Sequence, residues 1–144
     1  MAFRGNYEHS LDAKNRLTIP VKFRAELAGG IVIAQGLEPC AGIWTPDAFE
    51  SFTRGFLEEL NPLSQEARRL SRYFNGGSFD TELDGAGRVM VPPPIIDHAG
   101  LGKEVVIVGN DDHLELWDAA KWSAYETDLN ATVADTVEKI VSVG

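Results

Sequence analysis

Apolar and polar residues alternate from Tyr7 to Leu11 and again from Phe79 to Leu83, the period of a strand with one buried face. Each run enters a turn and then a second short strand, Arg16 to Ile19 and Arg88 to Val91, that stops at a proline. Unbroken β-branched runs follow at Ile31-Val32-Ile33 and Val105-Val106-Ile107-Val108, as expected of strands covered on both sides. A turn near Gly36 or Gly109 leads to another short strand ending at Trp44 or Trp117. The period then changes to helical. Thr45-Pro46 supplies an N-cap and a first-turn proline, with Ala48, Phe49, Phe52 and Phe56 on one face. In the later segment Asp118 caps, and Trp122, Tyr125 and Leu129 form the apolar face. Asn61-Pro62 separates the first helix from another, roughly Ser64 to Phe74, with Leu63, Ala67, Leu70 and Phe74 as its stripe. From Asn130 the pattern weakens, which leaves a frayed helix or a disordered tail open.

The same grammar is used twice. Gly5, Leu11, Asp12, Arg16, Leu17, Ile19 and Pro20 recur 72 positions later as Gly77, Leu83, Asp84, Arg88, Val89, Val91 and Pro92. After one inserted residue, Gly36, Trp44, Phe49 and Phe52 meet Gly109, Trp117, Trp122 and Tyr125. Eleven matched positions define an internal repeat. A β-rich unit of this size cannot bury both faces of its strands alone, so the copies are expected to pair into one pseudo-symmetric barrel. The expected organisation is a first repeat over 5–53, a helical segment over 54–76, a second repeat over 77–126 and a tail over 127–144.

Composition narrows the function classes. A 144-residue chain with 44% hydrophobic and 24% charged residues is an ordinary globular protein of one domain or two very small ones. Its longest apolar runs are too short to span a bilayer as a helix, and the start lacks a secretory pattern, so a cytoplasmic protein is expected. One cysteine, Cys40, excludes an internal disulfide. The net charge of -9 argues against indiscriminate nucleic-acid binding. That charge is uneven, however. Residues 1–30 hold five cations against three acids, residues 31–102 five against ten, and residues 103–144 three against nine. The amino-terminal segment is the one basic part of an acidic chain.

That basic segment contains the first of two matching turns, Asp12-Ala13-Lys14-Asn15-Arg16 and Asp84-Gly85-Ala86-Gly87-Arg88. Asp at the start of such a turn accepts backbone N–H bonds, and the residue before the arginine must adopt a left-handed conformation. Gly87 suits that conformation, and Asn15 is the best substitute for glycine. Turn geometry thus accounts for Asp12, Asp84, Asn15 and Gly87 but demands neither arginine. Arg16 and Arg88 either pair with the turn aspartates or reach outward. The first turn adds Lys14 at its tip, with Arg4 just before the incoming strand, whereas the second has Ala86, with Asp80 and Glu82 nearby. A cationic β tip can enter a DNA groove or hold phosphates.

Phe3-Arg4-Gly5-Asn6-Tyr7 and Leu11-Asp12-Ala13-Lys14-Asn15-Arg16-Leu17-Thr18-Ile19-Pro20 resemble the start of the MraZ family of bacterial transcriptional regulators. Arg68-Arg69-Leu70-Ser71-Arg72-Tyr73-Phe74, Gly87-Arg88-Val89 and Leu114-Glu115-Leu116-Trp117 continue the resemblance to about residue 126. It implies a mainly β chain with helices (α+β), made of two SpoVT/AbrB-like domains in a double-split, swapped-hairpin β-barrel. It also implies a ring-shaped, octamer-like homo-oligomer on double-stranded DNA, at promoter repeats of a division and cell-wall gene cluster. The family usually represses its own operon and associates with the nucleoid. Carried over by position, the DNA-binding loop is Lys14, Asn15 and Arg16, with Arg4 beside it, while Asp12, Asp84, Gly87 and Arg88 are structural turn residues. Two departures stand out: Asn15 replaces the family's usual glycine, and Pro92-Pro93-Pro94 follows the second turn without the usual basic residue.

No enzyme constellation is expected. Cys40 lies between Pro39 and Ala41 without a nucleophile context, and His9, His98 and His113 have no metal spacing. Gly85-Ala86-Gly87 is turn chemistry, not a phosphate loop. No cofactor, metal, membrane or small-molecule substrate is expected. Two rivals use the same features: an oligomeric adaptor that recruits a protein, and an AbrB-type antitoxin, which normally has one copy and a toxin-binding tail.

Overall fold

The computed structural model describes residues 2–143. The alternating first run forms β1 (Asn6–Ser10), and the residues after the first turn form β2 (Arg16–Thr18). The apolar runs that follow give β3 (Ile31–Gln35) and β4 (Ala41–Trp44). The second copy supplies β5 (Ser78–Thr81), β6 (Arg88–Met90), β7 (Glu104–Asn110) and β8 (His113–Asp118). All pairings are antiparallel, in a six-stranded sheet of order β1-β7-β8-β4-β3-β5 and a two-stranded ribbon of β2 and β6.

The copies exchange strands. β1 of the first copy pairs with β7 of the second, from Asn6↔Val108 to Ser10↔Glu104. β5 of the second copy pairs with β3 of the first, from Ile31↔Thr81 to Ala34↔Ser78. β1 and β2, adjacent in sequence across the first turn, therefore do not form a ladder with each other. The turn closes through Asp12 N–H to the Arg16 carbonyl at 3.1 Å, after which the strands part to different sheets. The ribbon joins the copies again, with Arg16↔Met90, Leu17↔Val89 and Thr18↔Arg88 opposite one another. This mixed α+β architecture of two repeats that exchange strands agrees with the fold class that the resemblance implies.

Prolines mark a departure from the hydrophobic pattern. Pro20 and Pro92 end the short strands as expected, but each also opens a helix, α1 (Val21–Leu27) and, past α2 (Pro46–Leu57) and α3 (Gln65–Gly76), α4 (Pro93–Ala99). Phe23 and Leu27 are buried from α1, and Ile95 and Ala99 from α4, two i,i+4 pairs too short to register as a helical period. Proline tolerated in a first turn is the local signal.

α2 (Pro46–Leu57) and α3 (Gln65–Gly76) match the expected helices and caps. Thr45 Oγ1 accepts from Ala48 N–H at 3.2 Å, and Ser64 Oγ from Ala67 N–H at 3.1 Å. Leu63 lies before the Ser64 cap and is exposed, so the inward stripe of α3 is Ala67 and Phe74, buried, with Leu70 half-buried between them.

The tail differs most from its weak pattern. Residues Ala119–Val143 form one helix, α5, continuing well past Asn130. Neither glycine nor proline interrupts it, so the helix runs on where the weak periodicity announced none.

Ile33, Ile43, Ile107, Leu114 and Leu116 form the middle of the main core, and Leu17, Ile19, Val89 and Val91 from the ribbon close over it. A second cluster, Val32, Ala34, Trp44, Phe49 and Phe74, lies under α2 and α3.

Candidate nucleic-acid interface

The ribbon divides its residues by the two-residue period of a strand. Leu17 and Val89 face the core, while Arg16, Thr18, Arg88 and Met90 share the outward face. Arg16 and Arg88 are diagonal neighbours there, with Cα atoms roughly 7–8 Å apart. Met90 is 55% exposed beside them.

Both turns hold their arginine in the same way. Asp12 Oδ1 accepts from the backbone N–H of Lys14 and of Arg16, each at 2.9 Å, while Asp12 Oδ2 accepts from Arg16 Nε at 2.7 Å. Asp84 Oδ1 accepts from Ala86 and Arg88 N–H at 2.9 Å, and its Oδ2 from Arg88 Nε at 2.9 Å. One carboxylate thus serves backbone and guanidinium together. The bond from Arg16 N–H holds Asp12 below its ordinary value, and that from Arg88 N–H does the same for Asp84. Among the described residues no other hydrogen bond uses either guanidinium, so each terminal fork remains for an acceptor outside the turn.

Asn15 has φ 57° and Gly87 φ 76°, the left-handed conformation that the turn demands. The tips above them differ. Lys14 is exposed on the first, where the second has Ala86. Arg24, from α1, donates Nε to the Ile19 carbonyl at 2.8 Å and lies over Gly87, where a Cβ would run into the guanidinium. The second tip therefore has a cation that its own segment does not encode. Position 96, which matches 24 in the repeat, is Ile96.

Arg4 is not beside the first tip. β1 separates them: Arg4 precedes Asn6 and packs its backbone on Gly109, whereas the Asp12 turn follows Ser10 at the other end. Extended chain of this length spans roughly 20 Å. Adjacency of Arg4 to the loop, expected from sequence, gives way to a position near Gly109 and Asp111. Lys14, Asn15 and Arg16 stay together, and the ribbon brings Arg88, Thr18 and Met90 to the same surface. Alternation in Arg88-Val89-Met90 could have marked Met90 as outward-facing, but nothing local marks Arg24.

Arg68, Arg69 and Arg72 are exposed on α3, where Arg68 Nη1 donates to the Leu63 carbonyl at 2.5 Å. Among the described residues none of the three pairs with an acid. Cys40 is buried, and desolvation pushes its thiol far above the ordinary range, opposite to what a nucleophile needs. No helix of the described residues is long and apolar enough to cross a membrane.

The family model described as "MraZ protein, putative antitoxin-like" matches the chain twice, over residues 2–73 and 74–141. The transcriptional regulator MraZ of Alkaliphilus oremlandii is 33% identical over 142 residues, covering 99% of both chains. That of Lactiplantibacillus plantarum is 37% identical over 96% of this chain and 98% of the relative. The Mycoplasmoides gallisepticum protein of the same name is 40% identical over 86% and 84%.

Proposed function

This chain belongs to the MraZ family, and on that premise we propose that it is a transcriptional regulator that binds double-stranded DNA through its β2–β6 ribbon. The observation that supports this reading best is Arg16, half-buried and fastened at Nε by Asp12, its terminal nitrogens bonded to nothing else among the described residues, on the outward ribbon face beside exposed Lys14. A two-stranded β-ribbon fits the B-DNA major groove, and an arginine fork pairs with guanine O6 and N7. Asp12 fixes the guanidinium before DNA arrives, which reduces the ordering cost of the contact. Lys14 holds a phosphate, and Asn15 keeps the tip in its left-handed turn. Arg88 and Arg24 add positive charge at the other end of the ribbon, although Asp80 and Glu82 oppose it. The first tip therefore leads. Its positive charge suits DNA, whereas the adaptor reading needs the tips buried between subunits.

The -9 charge makes a single tip weak, so several subunits of a ring-shaped homo-oligomer engage successive promoter repeats together. The promoter is that of its own division and cell-wall cluster, the outcome repression, and the place the nucleoid within the cytoplasm. Footprinting of the DNA upstream of its own gene tests this reading. Evenly spaced protected repeats, weakening steeply with salt, are expected. Equal protection of unrelated DNA would refute it.

A further inference from the structure

The internal repeat sets two arginines alike on the outward face of the ribbon but gives them different neighbours. Arg16 and Arg88 are equivalent positions, as are Thr18 and Met90, each pair 72 residues apart. Across the ribbon Arg16 lies opposite Met90, and Arg88 opposite Thr18. The arginine of the lysine-bearing first turn therefore has a methionine beside it, where the other has a threonine.

Backbone bonding fixes how close that neighbour comes. Val91 N–H donates to the Asn15 carbonyl at 2.9 Å and Ile19 N–H to the Gly87 carbonyl at 3.0 Å. Those bonds flank the ladder, so Arg16 and Met90 form a non-hydrogen-bonded pair, with Cα atoms about 4.5 Å apart and side chains close together. Successive base pairs of DNA are separated by roughly 3.4 Å. With the Arg16 fork on one base pair, Met90 falls against the next.

Met90 does not serve the chain's own packing. It is 55% exposed and belongs to neither apolar cluster, although Val89 and Val91 on either side of it are buried. An exposed apolar side chain is ordinary on a protein surface. Its place is what matters: on a face shared with Arg16, Arg88 and Thr18, Met90 is the one side chain with no donor to offer a phosphate or a base.

We propose that Met90 is a specificity-determining residue, closing on the 5-methyl group of a thymine in the base pair next to the guanine that Arg16 engages. The inference rests on the reading that the β2–β6 ribbon enters the major groove, and it adds the neighbouring base to what is read there. The methyl group projects into that groove, and among the bases of unmodified DNA only thymine carries it. Methionine is unbranched and polarizable, so its thioether end moulds to a small apolar partner. Arg16, held at Nε by Asp12, sets the position of the ribbon and brings Met90 to the methyl. Thr18, beside Arg88, has a hydroxyl that accepts several base edges and so discriminates less.

Deoxyuridine tests this, because it removes the methyl group and leaves every pairing and hydrogen-bonding atom of thymine in place. Each thymine position of the promoter repeats is replaced in turn, in every repeat, and titrated with the full chain. One position, adjacent to a guanine whose N7 methylation blocks binding, should weaken the unaltered protein roughly three- to fivefold per engaged repeat, the effect of one buried methyl. Met90→Ala should bind thymine and deoxyuridine repeats alike, and Met90→Leu should still tell them apart. The melting midpoint of Met90→Ala should match that of the parent, since the side chain is exposed. Binding by the unaltered protein that is indifferent to every thymine methyl, or a deoxyuridine penalty equal in Met90→Ala, overturns the role of Met90 while guanine N7 interference persists. Loss of that interference as well overturns the ribbon reading on which the inference rests.

Discussion

Arg16→Ala should weaken promoter binding by about 1–3 kcal/mol for each engaged subunit, roughly a 5- to 150-fold loss per tip. Because several tips grip one DNA, the losses compound, and a fixed-salt titration should show almost no retained complex. Little stability should be lost, since Asp12 keeps its two bonds to Lys14 and Arg16 N–H without the side chain. A far-ultraviolet spectrum and melting midpoint near those of the parent would confirm that. Arg16→Lys restores charge but not the planar fork, so it should recover salt-dependent affinity more than discrimination between promoter and unrelated DNA. Arg88→Ala, in the same turn geometry but without a lysine at its tip, should cost less.

Leu17→Ala should have the largest effect on the fold. Leu17 is fully buried, faces Val89 across the ribbon and belongs to the main core. Removing a buried leucine to Cβ costs about 2–5 kcal/mol, with the upper part expected where neighbours cannot collapse into the space. Here the neighbours are Ile19, Val89 and Val91, each held by ribbon or flanking backbone bonds, including Ile19 N–H to the Gly87 carbonyl and Val91 N–H to the Asn15 carbonyl. Those bonds connect core packing to both tips, so DNA binding should fall along with the denaturation midpoint. Thr18→Ala, one residue on but facing outward, should change stability by about 0.5 kcal/mol or less. Urea denaturation of both variants measures the contrast.

Local chemistry was legible wherever a few adjacent residues decide the structure. The turn aspartates and the Thr45 and Ser64 caps follow from side chains bonding backbone within four positions, and the left-handed Asn15 and Gly87 from the conformation that the turn demands. The repeat exposed the pseudo-symmetry, but alternation cannot tell which strand lies beside β1. That depends on β7, nearly a hundred residues away, and the residues alone suggest a local hairpin. α1 and α4 bury only two side chains each, too few for a period to emerge beside their prolines. Arg24 reached the second tip through the path of α1, which no spacing in its own segment records. The separation of Arg4 from the first tip was hidden for a similar reason. Closeness in sequence suggested closeness in space, and an extended strand carries them apart instead.

The net charge also reads differently on the fold. Ten of the chain's 22 acids lie in the middle stretch and nine beyond it, whereas Arg16, Lys14, Arg24 and Arg88 converge on one ribbon. On the proposed reading, an acidic body with a basic ribbon would repel DNA except at the ribbon, which favours selective over indiscriminate binding.

Guanine N7 methylation interference on the promoter repeats tests the central claim most directly, because N7 lies only in the major groove and is one of the two atoms an arginine fork engages. Methylation of a guanine in each repeat should block binding by the unaltered protein, and Arg16→Ala should lose discrimination at those same guanines. Binding that ignores guanine N7 at every repeat, or interference confined to minor-groove adenine N3, would contradict a ribbon reading the major groove through Arg16.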